Sequence, residues 1–299
     1  MLNLTHVRTF LTVLEQGGLR AAARMLELSP STVLDHVRQL EAELAAPLLA
    51  RGRRPVLPTV QGAAFRPLAQ ALLATEARAR AQLAGAALQL AAASNIGTYM
   101  LQDPLSAFHD QDGREVALWI GANPAVADRL QHGAADLALM EWWDDRPGFT
   151  ARIWRVEPLV LIVAPGHPWA ARGRIAPAEL PEMPLLGGEP GTGTGRLLRE
   201  RFGEFADGLR TIGGFGSTEA VKRAVRAGRG ASLVLAATVS DELATGSLAA
   251  VALDGPPLAK ETRLVLPQDL PETAPAARLA AHLLRAQAHA SDGRASPGC

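Results

Sequence analysis

Hydrophobic positions near the amino terminus recur at intervals of three and four residues, which is the spacing of one face of an α-helix. The positions of the first such stripe are Leu4, Val7, Phe10, Leu11 and Leu14. They predict a helix over about residues 3–16 that ends at Gly17-Gly18, where a left-handed cap forms easily. A second, short helix is predicted over 19–26. Ser29 as N-cap and Pro30 at the first helical position then predict the start of a third helix.

The third predicted helix has one apolar and one polar side. Its apolar positions are Val33, Val37, Leu40 and Leu44, and its polar positions are Ser31, Thr32, Asp35, His36, Arg38 and Gln39. The turn that joins it to the second helix is short. Two helices so joined have the form of a helix-turn-helix, in which the polar side of the second helix enters the major groove of DNA. A three-helix bundle without a DNA-binding role is the alternative at this point.

An arginine-rich segment after the third helix favours DNA binding. Residues 50–54 read Ala-Arg-Gly-Arg-Arg and lie between the apolar segments 48–49 and 55–57. This arrangement is typical of a hairpin wing that contacts phosphates or the minor groove. The predicted DNA-contacting residues are Ser29, Ser31, Thr32, Asp35, His36, Arg38, Arg51, Arg53 and Arg54.

One long helix is predicted from Thr59, a suitable N-cap, to about residue 88. Its apolar stripe consists of Phe65, Leu68, Leu72, Thr75, Ala79 and Leu83. A single amphipathic helix of this length must cover its stripe against its own domain or against a second copy. We expect dimerisation, because a twofold protein reads the two half-sites of a twofold operator.

Beyond residue 88, short apolar runs alternate with helical stretches. The predicted strands are 88–92, 116–120, 137–140, 159–164, 232–235 and 263–266. Such alternation predicts an α/β domain with mainly parallel strands.

Composition and charge narrow the class of protein. The chain has 299 residues, 48% of them hydrophobic, which is enough for two or three domains. Its 30 basic and 30 acidic residues balance, but residues 1–90 hold ten arginines against six acidic residues, an excess compatible with nucleic acid. No apolar run reaches the ~18 residues of a membrane span, and the amino terminus lacks signal-peptide features. The expected location is cytoplasmic.

The usual signatures of an enzyme or a metal site do not occur in the sequence. The one cysteine is Cys299, which excludes an internal disulfide and a cysteine-based zinc site. Neither HExxH nor GxSxG occurs, and the Gly-Thr-Gly-Thr-Gly run at 191–195 lacks the lysine of a nucleotide-binding P-loop. We therefore expect no metal, no cofactor and no catalytic residue.

The sequence as a whole resembles the LysR-type transcriptional regulators. The segment HVRTFLTVLEQGGLRAAARMLELSPSTVLDHVRQLEAELAAPLLARGRRPVLPTVQG is similar to that family's winged helix-turn-helix. Five later segments resemble parts of the effector-binding domain of the same family: IGTYML, ADLALM, LVLIVAPGHPWA, LLGGEPGTGTGR and FGSTEAVKRAVRAGRGASLVL. The resemblance implies an all-α winged helix-turn-helix DNA-binding domain over 1–58 and a linker or dimerisation helix over 59–87. It also implies an α/β effector-binding domain over 88–299, periplasmic-binding-protein-like (type II), with subdomain I at 88–163 and 266–299 and subdomain II at 164–265.

The resemblance implies partners as well. These are double-stranded DNA, a small-molecule effector, further copies of the chain in a homodimer or homotetramer, and RNA polymerase if the protein is an activator, with no membrane contact. Leu34 and Asp35 depart from the family, which typically has Ser-Arg there. Asp35 either accepts a hydrogen bond from a cytosine amino group or weakens DNA binding. The alternative function is therefore a cytosolic small-molecule-binding protein with a degenerate DNA reader.

Polar residues at three strand-to-helix junctions match places where the family binds effectors. The predicted effector contacts, together with one acidic residue after the strand 137–140, are Ser94, Asn95, Glu141, Thr192, Thr194, Ser217 and Thr218. Helix N-termini at such junctions favour an anionic effector, and ordinary helix capping is the alternative. Trp142-Trp143 suits an effector with an aromatic body, or else forms a patch at a subunit interface. Arg196 either pairs with an effector carboxylate or is a plain exposed arginine.

Overall fold

Two compact units make up the chain in the computed structural model. The structure describes residues 1–50, 52, 55–189 and 192–292, and within these every side chain except those of Gln82 and 287–292. One unit comprises Met1–Leu88 with Asp128–Asp136, and the other comprises Gln89–Ala127 with the chain from Leu137 onward. The predicted contacts Arg51, Arg53 and Arg54 lie outside the described residues.

The amino-terminal part of the first unit contains four helices among its described residues. They are α1 (Leu4–Glu15), α2 (Leu19–Met25), α3 (Pro30–Glu43) and α4 (Val60–Leu83). The predicted bounds of α1 and α2 are correct to within one residue, and α3 starts at Pro30 as predicted. Helix α4 ends five residues earlier than predicted, because Gly85 takes a left-handed backbone conformation (φ 76°) and closes the helix.

Apolar side chains from all four helices and the segment after α3 meet in two buried clusters. One contains Val7, Phe10, Leu11, Leu40, Leu48 and Ala69, and the other contains Val13, Ala22, Ala23, Val33 and Val37. Ala22 and Ala23 are buried and small enough to let α2 cross close to α3. Gly62 allows α4 to start against the preceding segment, since a Cβ there would lie 2.0 Å from the backbone oxygen of Leu48.

From Leu88 onward, the described residues contain ten strands. They are β1 (Leu88–Ala93), β2 (Val116–Gly121), β3 (Leu137–Met140), β4 (Phe149–Val163), β5 (Arg174–Ile175), β6 (Leu185–Leu186), β7 (Thr211–Ile212), β8 (Ser232–Leu235), β9 (Ala249–Leu253) and β10 (Ala259–Pro267). Four of them, β5, β6, β7 and β9, were not predicted. Strands β5, β6 and β7 have only two residues each, which is too few to show a pattern, and β9 is rich in alanine, which favours a helix. The predicted strand 159–164 is only the last third of β4, which begins ten residues earlier.

Helices alternate with these strands. They are α5 (Ser94–Tyr99), α6 (Gln102–Asp112), α7 (Asn123–Gln131), α8 (Pro168–Arg172), α9 (Gly193–Phe202), α10 (Thr218–Arg226), α11 (Ser240–Ala244) and α12 (Pro275–Asp292). Short 3₁₀ turns occupy Pro177–Glu182, Gly203–Gly208 and Ala236–Thr238. This is the α/β alternation that the sequence predicts.

The main sheet has the strand order β2-β1-β3-β10-β4-β9-β5, with β8 also paired to β4, and β6 and β7 form a separate pair. The expectation of mainly parallel strands is wrong at its centre, where β4 and β10 run antiparallel to each other and to their other neighbours. These two strands cross the domain in opposite directions, which a parallel order cannot accommodate. Strand β4 pairs with β10 up to Pro158, with β8 from Leu159 and with β9 from Leu161, so pairing changes five residues before the predicted subdomain boundary at 163.

Candidate functional site

The amino-terminal end of α3 presents a cluster of hydroxyl groups. The Oγ of Ser29 caps the helix by accepting the backbone N–H of Thr32 at 3.1 Å. It also lies 2.7 Å from the Oγ of Ser31 and 2.8 Å from the Oγ1 of Thr32. A helix N-terminus with unpaired N–H groups and hydroxyl donors is suited to a phosphate oxygen.

Asp35 and Arg38 lie on the exposed side of α3, one turn after this cluster. Their charged atoms are 3.9 Å apart, and both side chains are more than half exposed. The carboxylate therefore offsets part of the positive charge that Arg38 offers to DNA. The guanidinium of Arg38 has further donors that remain available for a phosphate or a guanine.

His36 does not belong to the free polar side of α3, which corrects the prediction. Its Nδ1 lies 3.0 Å from the Oγ1 of Thr9 on α1, and its ring packs against His6 with centroids 4.6 Å apart. The Thr9 hydroxyl donates to the backbone oxygen of Thr5, so it accepts from the imidazole. Desolvation by burial, followed by the neighbouring His6, lowers the pKa of His36. This residue thus fastens α3 to α1.

The segment after α3 forms the predicted hairpin. Leu49 pairs antiparallel with Pro58, and the backbone N–H of Ala50 donates to the oxygen of Leu57 at 2.8 Å. The backbone of Val56 is bonded to Gly17, at the end of α1. The base of the hairpin is therefore held against the helices, and the three predicted wing arginines lie outside the described residues.

An apolar hollow lies along α4. It measures about 500 Å³ and is lined by Leu4, Leu68, Ala71, Leu72, Thr75, Glu76 and Ala79. Leu68 is 62% exposed and Leu72 is 38% exposed. An exposed apolar patch of this kind is typical of an interaction surface.

All seven predicted effector contacts line one cavity in the second unit, which we call the polar cleft. It measures about 290 Å³ and is bounded by the N-termini of α5, α9 and α10 and by the 187–189 and 232–234 segments. Thr192 caps α9 by accepting the N–H of Gly195 at 3.0 Å, and Ser217 caps α10 by accepting the N–H of Ala220 at 3.2 Å. These two residues therefore both cap a helix and line the cleft.

A chain of hydrogen bonds joins the side chains at one end of the polar cleft. Thr218 donates to the Oδ1 of Asn95 at 2.6 Å, and the Nδ2 of Asn95 donates to the Oε1 of Glu141 at 3.0 Å. The other oxygen of Glu141 accepts from the Nζ of Lys260 at 2.8 Å. The backbone N–H of Glu141 donates to the buried Asn123. Five residues that are far apart in the sequence are thus held together by hydrogen bonds.

Lys260 is a site residue that the sequence analysis missed. It is the second residue of β10 and has no motif around it. One signal was available: only two of the 30 basic residues are lysines, Lys222 and Lys260. Both are buried in the structure, at 5% and 6% exposure. Since lysine is rarely buried without a partner, two lysines in an arginine-rich chain merit attention.

The second buried lysine lies beside Tyr99 and two acids. Its ammonium is 2.9 Å from Glu219, 2.6 Å from Glu242 and 4.9 Å from the ring centre of Tyr99. Burial alone would lower the pKa of Lys222, but hydrogen bonds to the two acids outweigh it and raise that pKa. The same contact lowers the pKa of Glu219, and burial raises the pKa of Tyr99. The lysine therefore stays charged as a fixed tie between α5, α10 and α11.

A second cavity, which we call the tryptophan cavity, lies beyond the Glu141–Lys260 pair. It measures about 400 Å³, and its lining includes Trp142, Trp143, Arg196 and Lys260. The guanidinium of Arg196 lies 5.5 Å from the ring centre of Trp142. Trp143 packs edge-on against Phe149. The two tryptophans thus line a pocket next to the polar cleft.

The described residues contain neither a candidate metal site nor a helix suited to cross a membrane. No group of three histidine, cysteine, aspartate or glutamate side chains there is arranged to hold a metal ion. No described helix combines the length and the apolar composition needed to cross a membrane.

Comparison with known proteins assigns both units. Residues 4–63 match the family of bacterial regulatory helix-turn-helix proteins of the lysR family, and residues 81–288 match the LysR substrate binding domain. The chain is 44% identical over 196 residues to the putative HTH-type transcriptional regulator protein PtxE of Stutzerimonas stutzeri, covering 65% of this chain and 100% of that protein. It is 29% identical over 272 residues to the RuBisCO operon transcriptional regulator of Acidithiobacillus ferrooxidans, covering 88% and 87% of the two chains.

Among solved structures, the fold is similar to that of full-length CbnR complexed with its target DNA. The TM-score is 0.65 at 21% identity, over 95% of this chain and 99% of that one. The two matched domains leave little of the sequence unassigned, and the predicted family and fold class are confirmed. The chain belongs to the LysR family, whose members are DNA-binding transcriptional regulators and not enzymes.

Proposed function

We propose that this regulator reads its operator with the exposed side of α3 and the wing, and responds to a small molecule held in the polar cleft. Regulators of the family bind DNA and small-molecule effectors and oligomerise. The observation that carries the proposal for this chain is that seven residues chosen from separate parts of the sequence line one cavity. Because the target is chromosomal DNA, the proposed place of action is the cytoplasm.

The proposed DNA contacts are Ser29, Ser31, Thr32, Asp35 and Arg38, together with the wing residues Arg51, Arg53 and Arg54. His36 is withdrawn from this set, because its ring is engaged with α1. The hydroxyl cluster around Ser29 supplies phosphate contacts at a helix N-terminus. Arg38 supplies a further phosphate contact. Asp35, whose carboxylate can accept from a cytosine amino group, sets sequence preference.

Salt-dependent DNA binding tests this part. Duplexes selected from a random library by the wild-type protein would be measured by fluorescence anisotropy at several salt concentrations. Arg38→Gln should weaken binding and reduce the slope of log affinity against log salt by about 1, since one phosphate contact is lost. Arg66→Gln, an exposed arginine of α4, is the matched control and should behave as wild type. Affinity that is absent at low salt would instead support the alternative of a degenerate DNA reader.

The proposed effector contacts are those that line the polar cleft: Ser94, Asn95, Glu141, Thr192, Thr194, Ser217 and Thr218. The N-termini of α9 and α10 meet there, which favours an anionic group of the effector. Mass spectrometry of the gently purified protein would identify a carried ligand. Thr218→Val should then weaken the binding of that ligand. Thr245 is an exposed threonine away from the cleft, so Thr245→Val should leave binding unchanged.

The apolar hollow on α4 is the observation from which we propose self-association. We propose that α4 packs against the α4 of a second copy, so that two α3 helices address two half-sites of the operator. A tetramer forms from two such dimers. Contact with RNA polymerase belongs to the proposal only if the protein activates transcription.

A further inference from the structure

The tryptophan cavity is separate from the polar cleft. The two cavities share only Glu141 and Gly193 among the described residues that line them. The buried Glu141–Lys260 ion pair stands between them, with the lysine side chain 7% and the glutamate side chain 12% exposed. An ion pair this well removed from water is a stable wall, because opening it would leave two charges unpaired.

One guanidinium that lines the tryptophan cavity takes part in no ion pair among the described residues. Lys260 pairs with Glu141, and Arg263 pairs with Glu261. Arg196 contacts the face of Trp142, and no ion pair joins it to an acid in the described part of the chain. Its planar fork of N–H groups is suited to a carboxylate held by two parallel hydrogen bonds.

The aromatic wall of the cavity is held in place. The buried Asn123 donates its Nδ2 to the backbone oxygen of Trp142 at 3.0 Å, and Trp143 is packed against Phe149. Gly193 keeps the space between wall and ion pair open, since a Cβ there would lie 2.6 Å from Glu141 Oε2 and 3.4 Å from the Trp142 ring. The wall is therefore a preformed apolar face rather than a mobile pair of rings.

We propose that the tryptophan cavity is a second ligand site that takes a planar organic anion of the aryl carboxylate class. The carboxylate accepts two hydrogen bonds from Arg196, and the ring packs against Trp142 and Trp143. Glu200, on α9 four residues after Arg196, also lines the cavity. Its negative charge opposes the anion and sets an upper limit on affinity. This site goes beyond the proposed effector cleft, and either one can be occupied without the other.

Calorimetric titration of the full-length protein with 2-naphthoate, without DNA, tests the proposal. We expect saturable binding that Arg196→Gln weakens about tenfold or more, because a charge-assisted hydrogen bond contributes roughly 1.5–3 kcal/mol. Glu200→Gln should tighten it. Arg199→Gln is the matched control, since Arg199 lies on the same helix but pairs with Asp207 and does not line the cavity. The neutral analogue 2-naphthamide and the non-aromatic cyclohexanecarboxylate should both bind more weakly.

Three outcomes would overturn the proposal. The first is no saturable binding of 2-naphthoate at millimolar concentration. The second is equal affinity in the Arg196→Gln and Arg199→Gln proteins. The third is loss of binding in Thr218→Val but not in Arg196→Gln, which would assign the anion to the polar cleft. In that third case the proposed effector site would stand while the second site would not, so the two proposals fail separately.

Discussion

The Nζ atom of Lys260 lies 2.8 Å from the Oε2 atom of Glu141, and 119 residues of sequence separate them. Glu141 directly follows β3, whereas Lys260 lies within β10, which runs antiparallel beside it. Asn95 completes the arrangement by donating to the other oxygen of the carboxylate. The pair thus links the polar cleft, the tryptophan cavity and a crossing strand through one buried contact.

Removing either member of this pair should destabilise the protein. Lys260→Met or Glu141→Gln alone leaves a buried partner without its counter-charge, and we expect each to lower the free energy of unfolding by about 3 kcal/mol. The double variant should recover at least half of the summed loss. Urea denaturation of the four proteins measures this. Additive losses in the double variant would show that the two side chains are not coupled.

Gly193 should not tolerate a methyl group. A Cβ at this position would lie 2.6 Å from Glu141 Oε2 and 2.8 Å from Lys260 Nζ, so Gly193→Ala must displace the ion pair. We expect a loss of about 1–3 kcal/mol in unfolding free energy, as for other overpacked sites. Gly208→Ala is the control, because a Cβ there meets no atom within 4 Å. If the two variants are equally stable in thermal denaturation, Gly193 is not needed to leave room for the Glu141–Lys260 pair.

Stability of the amino-terminal unit should fall as the pH drops below 6.5. The pKa of His36 is lowered in the folded protein, first by desolvation and then by His6, with Asp35 acting in the opposite direction. Below the ordinary pKa of 6.5 the unfolded chain therefore binds a proton that the folded state takes up only at lower pH. The free energy of unfolding thus rises with pH through this window and levels off above it.

His36→Asn tests this pH dependence, because the asparagine amide can still donate to Thr9 but does not titrate. Urea denaturation followed from pH 5 to pH 8 should give a smaller slope for the variant than for wild type. Gln39→Asn, an exposed neighbour on α3, controls for the substitution itself. If the His36→Asn protein keeps the full wild-type slope, titratable groups other than His36 cause the pH dependence of stability.

Charge placed in the hollow on α4 should separate the protomers. Leu68→Glu removes an apolar contact worth about 1.5 kcal/mol from each of two copies, which corresponds to roughly a 100-fold weaker dimer. Sedimentation velocity across a concentration series measures the shift to monomer. Gln70→Glu, two residues away but outside the hollow, adds the same charge and should leave association unchanged. Dimers of equal strength in both variants would rule out this face.

Local features of the sequence predicted the amino-terminal unit closely. Stripes spaced by three and four residues, the Ser29 cap and the short turn between α2 and α3 depend on contacts within one or two helical turns. Strands β3 and β8 were also predicted to the residue, since each is a buried apolar run ended by a turn. The exception was His36, which the helical periodicity assigned to the polar side. Its partner Thr9 lies on another helix, and no local pattern specifies that contact.

What the sequence determined by itself was therefore the class of each long element, the residues at the helix N-termini and, through joint order of motifs, the family. The tertiary structure alone decided the antiparallel crossing of β4 and β10 and the pairing of Lys260 with Glu141. The reason is physical: a cap or an amphipathic face is set by neighbours a few residues away. A buried lysine becomes stable only when folding brings an acid to it from a distant part of the chain and removes both from water.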